Sequence, residues 1–451
     1  EGGIFTNGSG VGHNLELRAE GESLSSGGKS SGPMSFFGFY DHLASTIKSG
    51  GKTRRAARMT TMRYHHPDIM KFIRGKVRED YKALLLMKAG LEPGFEGEAY
   101  TSVKFQNTNL SVRLDDHFFE QLERGGEVEL RYIKNHKVAE KISADQMLKE
   151  IAFGSWRIGD PAVQYESKIQ EYHTCKNSGL INSSNPCSEY MFLDNTSCNL
   201  ASLNLLKFAD KKGNINIERY RKAAAIFTIA QDIANYAGSY PNPKIAAVSP
   251  EFGTIGLGYA NLGSLVMRRG FAYDSDEGRD LAASLTAILT GESYLTSSKI
   301  AKSLGTFVHY EFNKKPMMEV MERHKENLDN IKWDKLEVTL KESAYEVWEK
   351  VIENGNKHGF RNAQATVLAP TGTIGLLMGC DTTGVEPATG LKITKNLAGG
   401  GSLKLVNGEI SNALNNLNYN DKEISDILDY IDKNSEAAGA PHLNPDHYTI
   451  F

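Results

Sequence analysis

The chain has 451 residues, 40% hydrophobic and 24% charged, enough to bury one very large core or about two to three ordinary ones. Its 52 Lys and Arg nearly balance 55 Asp and Glu, and the formal net charge of −3 supplies no general positive field for nucleic acid. No apolar run is long enough for a membrane span, the opening EGGIFTNGSG is not a signal peptide, and four cysteines make no disulfide framework in so long a chain.

A reducing, cytoplasmic setting is the simplest reading, with thiol chemistry for any cysteine that works. In chain order, residues 1–35 are rich in Gly and Ser (GGIFTNGSGVG, then GESLSSGGKSSGP) and read as loop, with a short apolar piece at most between the loops. Apolar spacing through Met34, Phe36, Phe37, Tyr40, Leu43 and Ile47 predicts an amphipathic helix that stops at Gly50-Gly51. KTRRAARM follows as a basic loop or strand entry, and Pro67 in HHPDIMKFIRGK suits a first helical turn. Helices are expected at 112–124, 143–154, 217–238, 279–303 and 339–357, the last ended by Gly359. The clearest β-like run is ATVLA at 365–369, and the charged, poorly patterned stretch 308–338 reads as a surface excursion. Such alternation argues for an α/β chain built around a mostly parallel sheet or barrel. With no repeat, low-complexity tract or convincing linker, one large domain over 1–451 is expected. The missing initiator Met and the abrupt DHYTIF lead us to expect sequence beyond both ends.

The richest chemistry lies in 182–205, NSSNPCSEYMFLDNTSCNLASLNL. Asn, Ser and Pro make its first part a loop, in which i and i+2 side chains share a face. Asn185, Cys187 and Glu189 then bring a carboxamide, a thiol and a carboxylate to one small volume, able to orient a hydroxyl, remove a hydrogen and accept a proton. Taken alone, N-x-C-x-E is better explained as a buried cysteine in an ordinary polar turn. Cys198 adds a second thiol eleven positions on, although a small core residue in an apolar strand is its plain alternative. A second segment runs from ATVLA into Pro370, Thr371, Gly372, Thr373, Ile374 and Gly375. A strand entering a small turn that opens a helix offers backbone N–H groups to a phosphate, and a plain turn capped by Thr371 is the equal alternative. No Gly-Lys-Ser/Thr follows, so this is not a Walker A loop.

Other features read as structural. GSGVG at 8–12 and GLGYANLG at 256–263 echo dinucleotide loops but lack the full pattern, and tight turns or close helix packing explain them better. His65-His66-Pro67-Asp68 suits a helix start better than a metal site, and Cys175 and Cys380 stand apart from any His/Cys cluster, so no metal is expected. Lys52, Arg54, Arg55 and Arg58 form a compact basic stretch that suits a triphosphate or, equally, a solvated charge run.

Taken together, the segments resemble the vitamin B12-dependent (class II) ribonucleotide reductases along nearly the whole chain. The resemblance is carried by GSGVGHNLELR, SSGGKSSGPMSFF, IKSGGKTRRAARM, HTCKNSG, NPCSEY, SCNLASLNLLKF, GLGYANLGSLVM, YDSDEGR, RNAQATVLAPTGTIGLL, CDTTGVEP, LAGGGSLK and GAPHLNPDH, in that order. It implies a ten-stranded α/β barrel with a finger loop through its centre, incomplete at both ends here. It further implies reduction of a ribonucleoside di- or triphosphate by a thiyl radical, generated with adenosylcobalamin. Cys187 would be the radical residue that takes the 3′ hydrogen, Glu189 the base for the 3′ hydroxyl, and Asn185 the group that orients it. Cys198 would be one of two reducing thiols, while residues 370–374 would hold the substrate phosphates, with Ser184 and Gly12 also at the substrate. Residues 20–60 would form the effector and dimer region, Lys52, Arg54, Arg55 and Arg58 meeting a deoxynucleoside triphosphate or ATP. The implied partners are a thioredoxin-like or small dithiol reductant and a second copy of the chain. The usual partner of Cys198 and the C-terminal cysteine tail are not in this sequence, so a trimmed chain or a second polypeptide is expected to supply them. Two alternatives stand: a class I catalytic subunit served by a metal-radical subunit, and a non-catalytic nucleotide-binding half of a split enzyme. Asp115-Asp116-His117 does not complete a D-x-H-x-x-G cobalamin box, which this reductase branch does without.

Overall fold

Polar and apolar residues alternate in NLSVRL, the period-two pattern of strands, and in the computed structural model this run lies between ARMTTMR and AVQY in one sheet. The structure describes residues 9–47, 57–94, 97–396 and 402–451. They divide into two compact units, Glu1–His173 with Gly179–Asp194, and Thr174–Ser178 with Asn195–Phe451.

The first unit contains β1 (Gly10–Asn14), β2 (Ala57–Arg63), β3 (Asn109–Leu114), β4 (Glu127–Arg131), β5 (Val138–Ser143) and β6 (Ala162–Tyr165). β1, β2, β3 and β6 form a parallel sheet in that order, and β4 with β5 makes an antiparallel hairpin. β1 corrects the loop reading of GGIFTNGSGVG: part of the GSGVG run is a strand, and neither a tight turn nor helix packing. Parallel neighbours need long crossovers, which helices Pro33–Thr46, Ile69–Lys88 and Ala144–Ile158 supply. The first of these has Pro33 in its opening turn and ends at extended Ile47; the expected stop at Gly50-Gly51 lies outside the described residues. Asp68 stands at the N-cap of the second, so Pro67 precedes the helix and does not enter its first turn. The helix expected at 112–124 is in fact the end of β3 followed by helix Asp116–Glu123, because NLSVRL keeps strand alternation up to Leu114. Asp115 then turns the chain by accepting from Phe118 N at 3.0 Å.

The two faces of this sheet differ in chemistry. On β3, Leu110, Val112 and Leu114 join Phe37, Phe72, Ile73 and Ile151 in the helix-covered core. Ser111 and Arg113 point the other way and are equally buried, each 0% exposed. Parallel sheets are normally apolar on both faces, so a buried polar face marks where this fold departs from packing alone.

In the second unit β7 (Leu200–Asn204) and β8 (Gly256–Ala260) run parallel, and all of β8 is buried. GLGYANLG therefore begins as a core strand and turns at Asn261 (φ 68°) into helix Leu262–Arg268. ATVLA is extended but touches β8 through a single bridge, Leu257 to Thr366, instead of forming a full strand. Helices Ile217–Ala237, Asp276–Leu304 and Val338–His358 match the expected ones closely, capped by Asn216, Ser275 and Gly359. The supposed surface excursion holds helix Tyr310–Glu326, which buries Met317, Val320 and Met321 as an apolar stripe. β9 (Lys392–Asn396) and β10 (Ser402–Val406) form a hairpin, followed by a small core around Ile410, Leu414, Ile427 and Ile431.

The architecture is α/β, and no closed sheet is found among the described residues. Nor is any described helix long and apolar enough to cross a membrane.

Candidate active site

Loop 182–190 lies on the polar face of the first sheet, and the strands beneath are shaped to receive it. A Cβ built on Gly12 would fall on the Ser184 carbonyl, and one on Gly10 would stand 2.6 Å from the Pro186 ring. Glycine is required at both places because backbone meets the loop directly. Asn109 Nδ2 donates to Pro186 O at 2.8 Å, and Thr61 Oγ1 to Asn182 O at 3.1 Å. The loop then closes on itself: Asn185 N donates to Tyr190 O at 3.3 Å, while Tyr190 N donates to Asn185 Oδ1 at 2.9 Å. Cys187 is the exposed residue at the apex, followed by Ser188 in the left-handed region at φ 65°. Glu189 is half-buried, and its Oε2 is covered yet makes no hydrogen bond. A covered carboxylate oxygen left without a donor costs free energy and is suited to a hydroxyl or proton arriving from outside. Asn185 uses one lone pair of its oxygen in the loop and keeps its Nδ2 donors for a ligand.

The stem of the loop is tied to charges at the C-terminal ends of the strands. Arg63 donates to Glu16 Oε2 (3.0 Å), Glu166 Oε1 (3.2 Å) and Asn182 Oδ1 (3.3 Å), and Asn182 Nδ2 continues to Asp194 Oδ2 at 3.0 Å. Arg113 contacts the other Glu166 oxygen. Burial raises the Glu16 carboxyl, but the Arg63 charge and the Asn14 and Arg63 hydrogen bonds outweigh it and hold the group below the ordinary value. Burial likewise lowers the Arg113 guanidinium, only partly countered by Glu166. Sequence reasoning missed this cluster, although a charged residue inside the alternating run NLSVRL was its available signal.

Two other candidate segments belong to the second unit. Cys198 is half-buried between two pinned neighbours. Ser197 O accepts from Thr254 Oγ1 at 2.7 Å and Ser197 N donates to Ser249 Oγ at 3.1 Å, while Asn199 exchanges hydrogen bonds with Gln231 at 2.8 and 3.1 Å. In the turn after Pro370, Thr371 is buried but does not cap helix Gly372–Met378; its Oγ1 accepts from Gly384 N at 3.1 Å. Thr371 O receives the first helical bond, from Gly375 N at 2.8 Å, and Gly372, Thr373 and Ile374 are exposed. Thr371 thus stands at the N-cap, but its side chain makes no cap bond. Burial pushes the other thiols up, Cys175 to about 12 and, with Asp381 helping, Cys380 to about 11, which makes both poor nucleophiles.

Gly12 and Ser184 are engaged with each other and with the loop seat. Lys52, Arg54 and Arg55 lie outside the described residues. Arg58 belongs to β2, not to a loop, and is 1% exposed. Its guanidinium lies 4.7 Å over the Tyr40 ring, reaches Thr108 Oγ1 at 3.4 Å and contacts His13 Nε2. His66 is held structurally, Nε2 at 2.7 Å from Leu17 O and Nδ1 accepting from Asp68 N at 3.0 Å. Among the described residues no group of three or more His, Cys, Asp or Glu is placed to hold a metal ion.

Comparison with known proteins adds a family. The model described as ribonucleotide reductase, barrel domain, matches residues 1–451. The chain is 49% identical over 451 residues to a vitamin B12-dependent ribonucleotide reductase of Rhodopirellula baltica, covering 99% of this chain and 43% of that protein. It is 46% identical over 457 residues to the protein of the same name from Streptomyces coelicolor, covering 100% of this chain and 47% of that one. A vitamin B12-dependent ribonucleoside-diphosphate reductase of Thermoplasma acidophilum is 29% identical over 90% of this chain and 45% of that protein. The chain thus spans about half the length of the curated relatives it matches.

Proposed function

The chain belongs to the ribonucleotide reductase family, and from that premise we propose that it carries the radical chemistry of an adenosylcobalamin-dependent ribonucleotide reductase, within a single ten-stranded barrel domain. The observation that carries this reading is the pinned loop: a thiol exposed at its apex, with a covered, donor-less carboxylate oxygen two residues on. The resemblance to the B12-dependent relatives selects the cofactor, and an exposed Cys187 fits a group that must approach the sulfur from outside the loop. Adenosylcobalamin, when bound, supplies a one-electron oxidant for a thiol.

Cys187, as a thiyl radical, takes the 3′ hydrogen of the ribose and returns it at the end of the cycle. Glu189 Oε2 accepts the proton of the 3′ hydroxyl, and Asn185 donates through Nδ2 to orient the sugar. Cys198 and a second thiol together give two electrons to the 2′ carbon as the 2′ hydroxyl leaves as water, and the two sulfurs finish as a disulfide that a dithiol must reduce. The N–H groups of Gly372, Thr373 and Ile374, which open helix Gly372–Met378 after Pro370 and Thr371, take the substrate phosphates. Gly12 and Ser184 serve the substrate by seating the loop. The effector, a deoxynucleoside triphosphate or ATP, is assigned to the 52–58 region, where Arg58 links β2 to Tyr40 on helix Pro33–Thr46. That helix exposes Phe36 and Phe39, at 44% and 64%, which suits a homodimer contact.

The test is formation of deoxyribonucleotide from ribonucleoside di- and triphosphates with dithiothreitol, with and without adenosylcobalamin, and with no metal-containing subunit added. Product that requires adenosylcobalamin and is lost in Cys187→Ala supports the proposal. Product from the Cys187→Ala protein, or turnover indifferent to the cofactor, overturns it.

A further inference from the structure

Strand β6 sends one side chain into the loop whose part in the site is still unassigned. Gln164, 4% exposed, directs Nε2 at both Ser184 Oγ (2.8 Å) and Ser188 Oγ (3.0 Å). An amide nitrogen has two hydrogens, so both donors are spent on one loop, three residues before and one residue after Cys187. The bonds continue into the backbone. Ser184 Oγ donates to Asn185 O at 2.9 Å, and Ser188 N donates to the same oxygen at 3.1 Å. Gln164, Ser184, Asn185 and Ser188 thus form a closed ring of hydrogen bonds that spans the cysteine. Ser188 holds φ at 65°, a left-handed conformation that a non-glycine residue keeps only where its surroundings determine it. The ring provides that determination through both the hydroxyl and the amide of Ser188.

We propose that Gln164 is a positioning residue for Cys187: by straddling the loop tip it fixes Ser188 in the left-handed turn and so sets the direction of the thiol. This deepens the reading of Cys187 as the working thiol and rests on it. Gln164 touches neither the sulfur nor a substrate, and it acts through Ser184 and Ser188. Its strand partner in register is Arg113, so the same sheet face carries both the stem charges and this clasp.

The experiment is a double-mutant cycle in the intact protein. Gln164→Met keeps length and volume but removes both donors, Ser184→Ala with Ser188→Ala removes both acceptors, and a third protein combines all three. Cys187 alkylation by iodoacetamide is followed by peptide mass, with Cys380 as the internal reference, beside kcat, KM and the unfolding midpoint. Gln164→Met is expected to change Cys187 alkylation by about two- to tenfold, the span of one hydrogen bond. It is expected to lower kcat by on the order of a hundredfold with KM little changed. The combined variant is expected to be no worse than the serine pair. Ser188→Ala alone, a milder change, repeats the direction should Gln164→Met fold poorly. Cys187 alkylation unchanged in Gln164→Met and Ser188→Ala, or effects that simply add in the combined variant, would overturn the proposal. A wild-type protein without adenosylcobalamin-dependent turnover would remove the functional reading while leaving the alkylation result to stand or fall by itself.

Discussion

The backbone of Gly12 runs so close beneath Ser184 that a side chain at position 12 and the Ser184 carbonyl would occupy the same space. The loop bearing Cys187 is therefore seated on a strand whose lack of a Cβ is a structural requirement. Gly12→Ala should force loop and strand apart. The expected loss is about 1–3 kcal/mol of stability from overpacking, together with most of the turnover. Denaturant unfolding and Cys187 alkylation check this, and a stable variant with wild-type alkylation would show that the seat tolerates a methyl group.

Glu189 offers a contrast between chemistry and stability. Its Oε2 is covered and accepts no hydrogen bond, so Glu189→Gln removes a base without breaking a bond that holds the fold. Turnover should fall by about 10²–10⁴-fold, the usual worth of a general base, while the unfolding midpoint stays level or rises. Steady-state kinetics beside thermal unfolding decides. A variant that loses stability in step with activity would make Glu189 a structural group.

Glu166 joins the buried Arg113 to the half-buried Arg63, in contact with the first and at 3.2 Å from the second. Removing it leaves one buried and one half-buried guanidinium group with one carboxylate fewer. Glu166→Ala is expected to cost about 3–5 kcal/mol, and Arg113→Leu combined with Glu166→Leu should cost less than Glu166→Ala alone. Urea titrations of the three proteins measure this, and a double variant worse than Glu166→Ala would refute the account.

What was legible in the sequence follows the range of the forces involved. Helices Ile217–Ala237, Asp276–Leu304 and Val338–His358 are set by local caps at Asn216, Ser275 and Gly359, and they were readable within a few residues. Composition marked 182–190 as loop, because Asn, Ser and Pro favour turns wherever the chain goes. Long-range pairing was not readable in this way. Gly10 and Gly12 looked like turn residues until β2 and the loop were placed against them, and ATVLA carried a strand composition but found only one bridge. Helix Tyr310–Glu326 was hidden by its charges and by Pro316, since its stripe of Met317, Val320 and Met321 gains meaning only when buried. The cysteine, the carboxylate and the carboxamide were visible as residue types; Arg113 in NLSVRL was at most a signal of something unusual, and Gln164 and Arg63 gain meaning only once the face of their strand is known.

That same overlooked helix yields a pH effect. His324 lies in its last turn, with the ring 5.3 Å from that of Trp348. Burial, aided by the Arg323 charge, pushes its imidazole down from 6.5 to about 4. The fold therefore prefers the neutral ring, whereas the unfolded chain takes up the proton near pH 6.5. This contribution is complete above about pH 6.5 and declines as pH falls toward about 4. A shift of that size corresponds to at most about 3 kcal/mol, and because the residue is half-buried we expect about 1–2 kcal/mol. In His324→Gln, which cannot titrate, stability should fall less steeply than in the wild type between about pH 6.5 and pH 4. Denaturant midpoints measured across that window test the sign, and parallel curves for the two proteins would mean that the imidazole is already charged in the folded state.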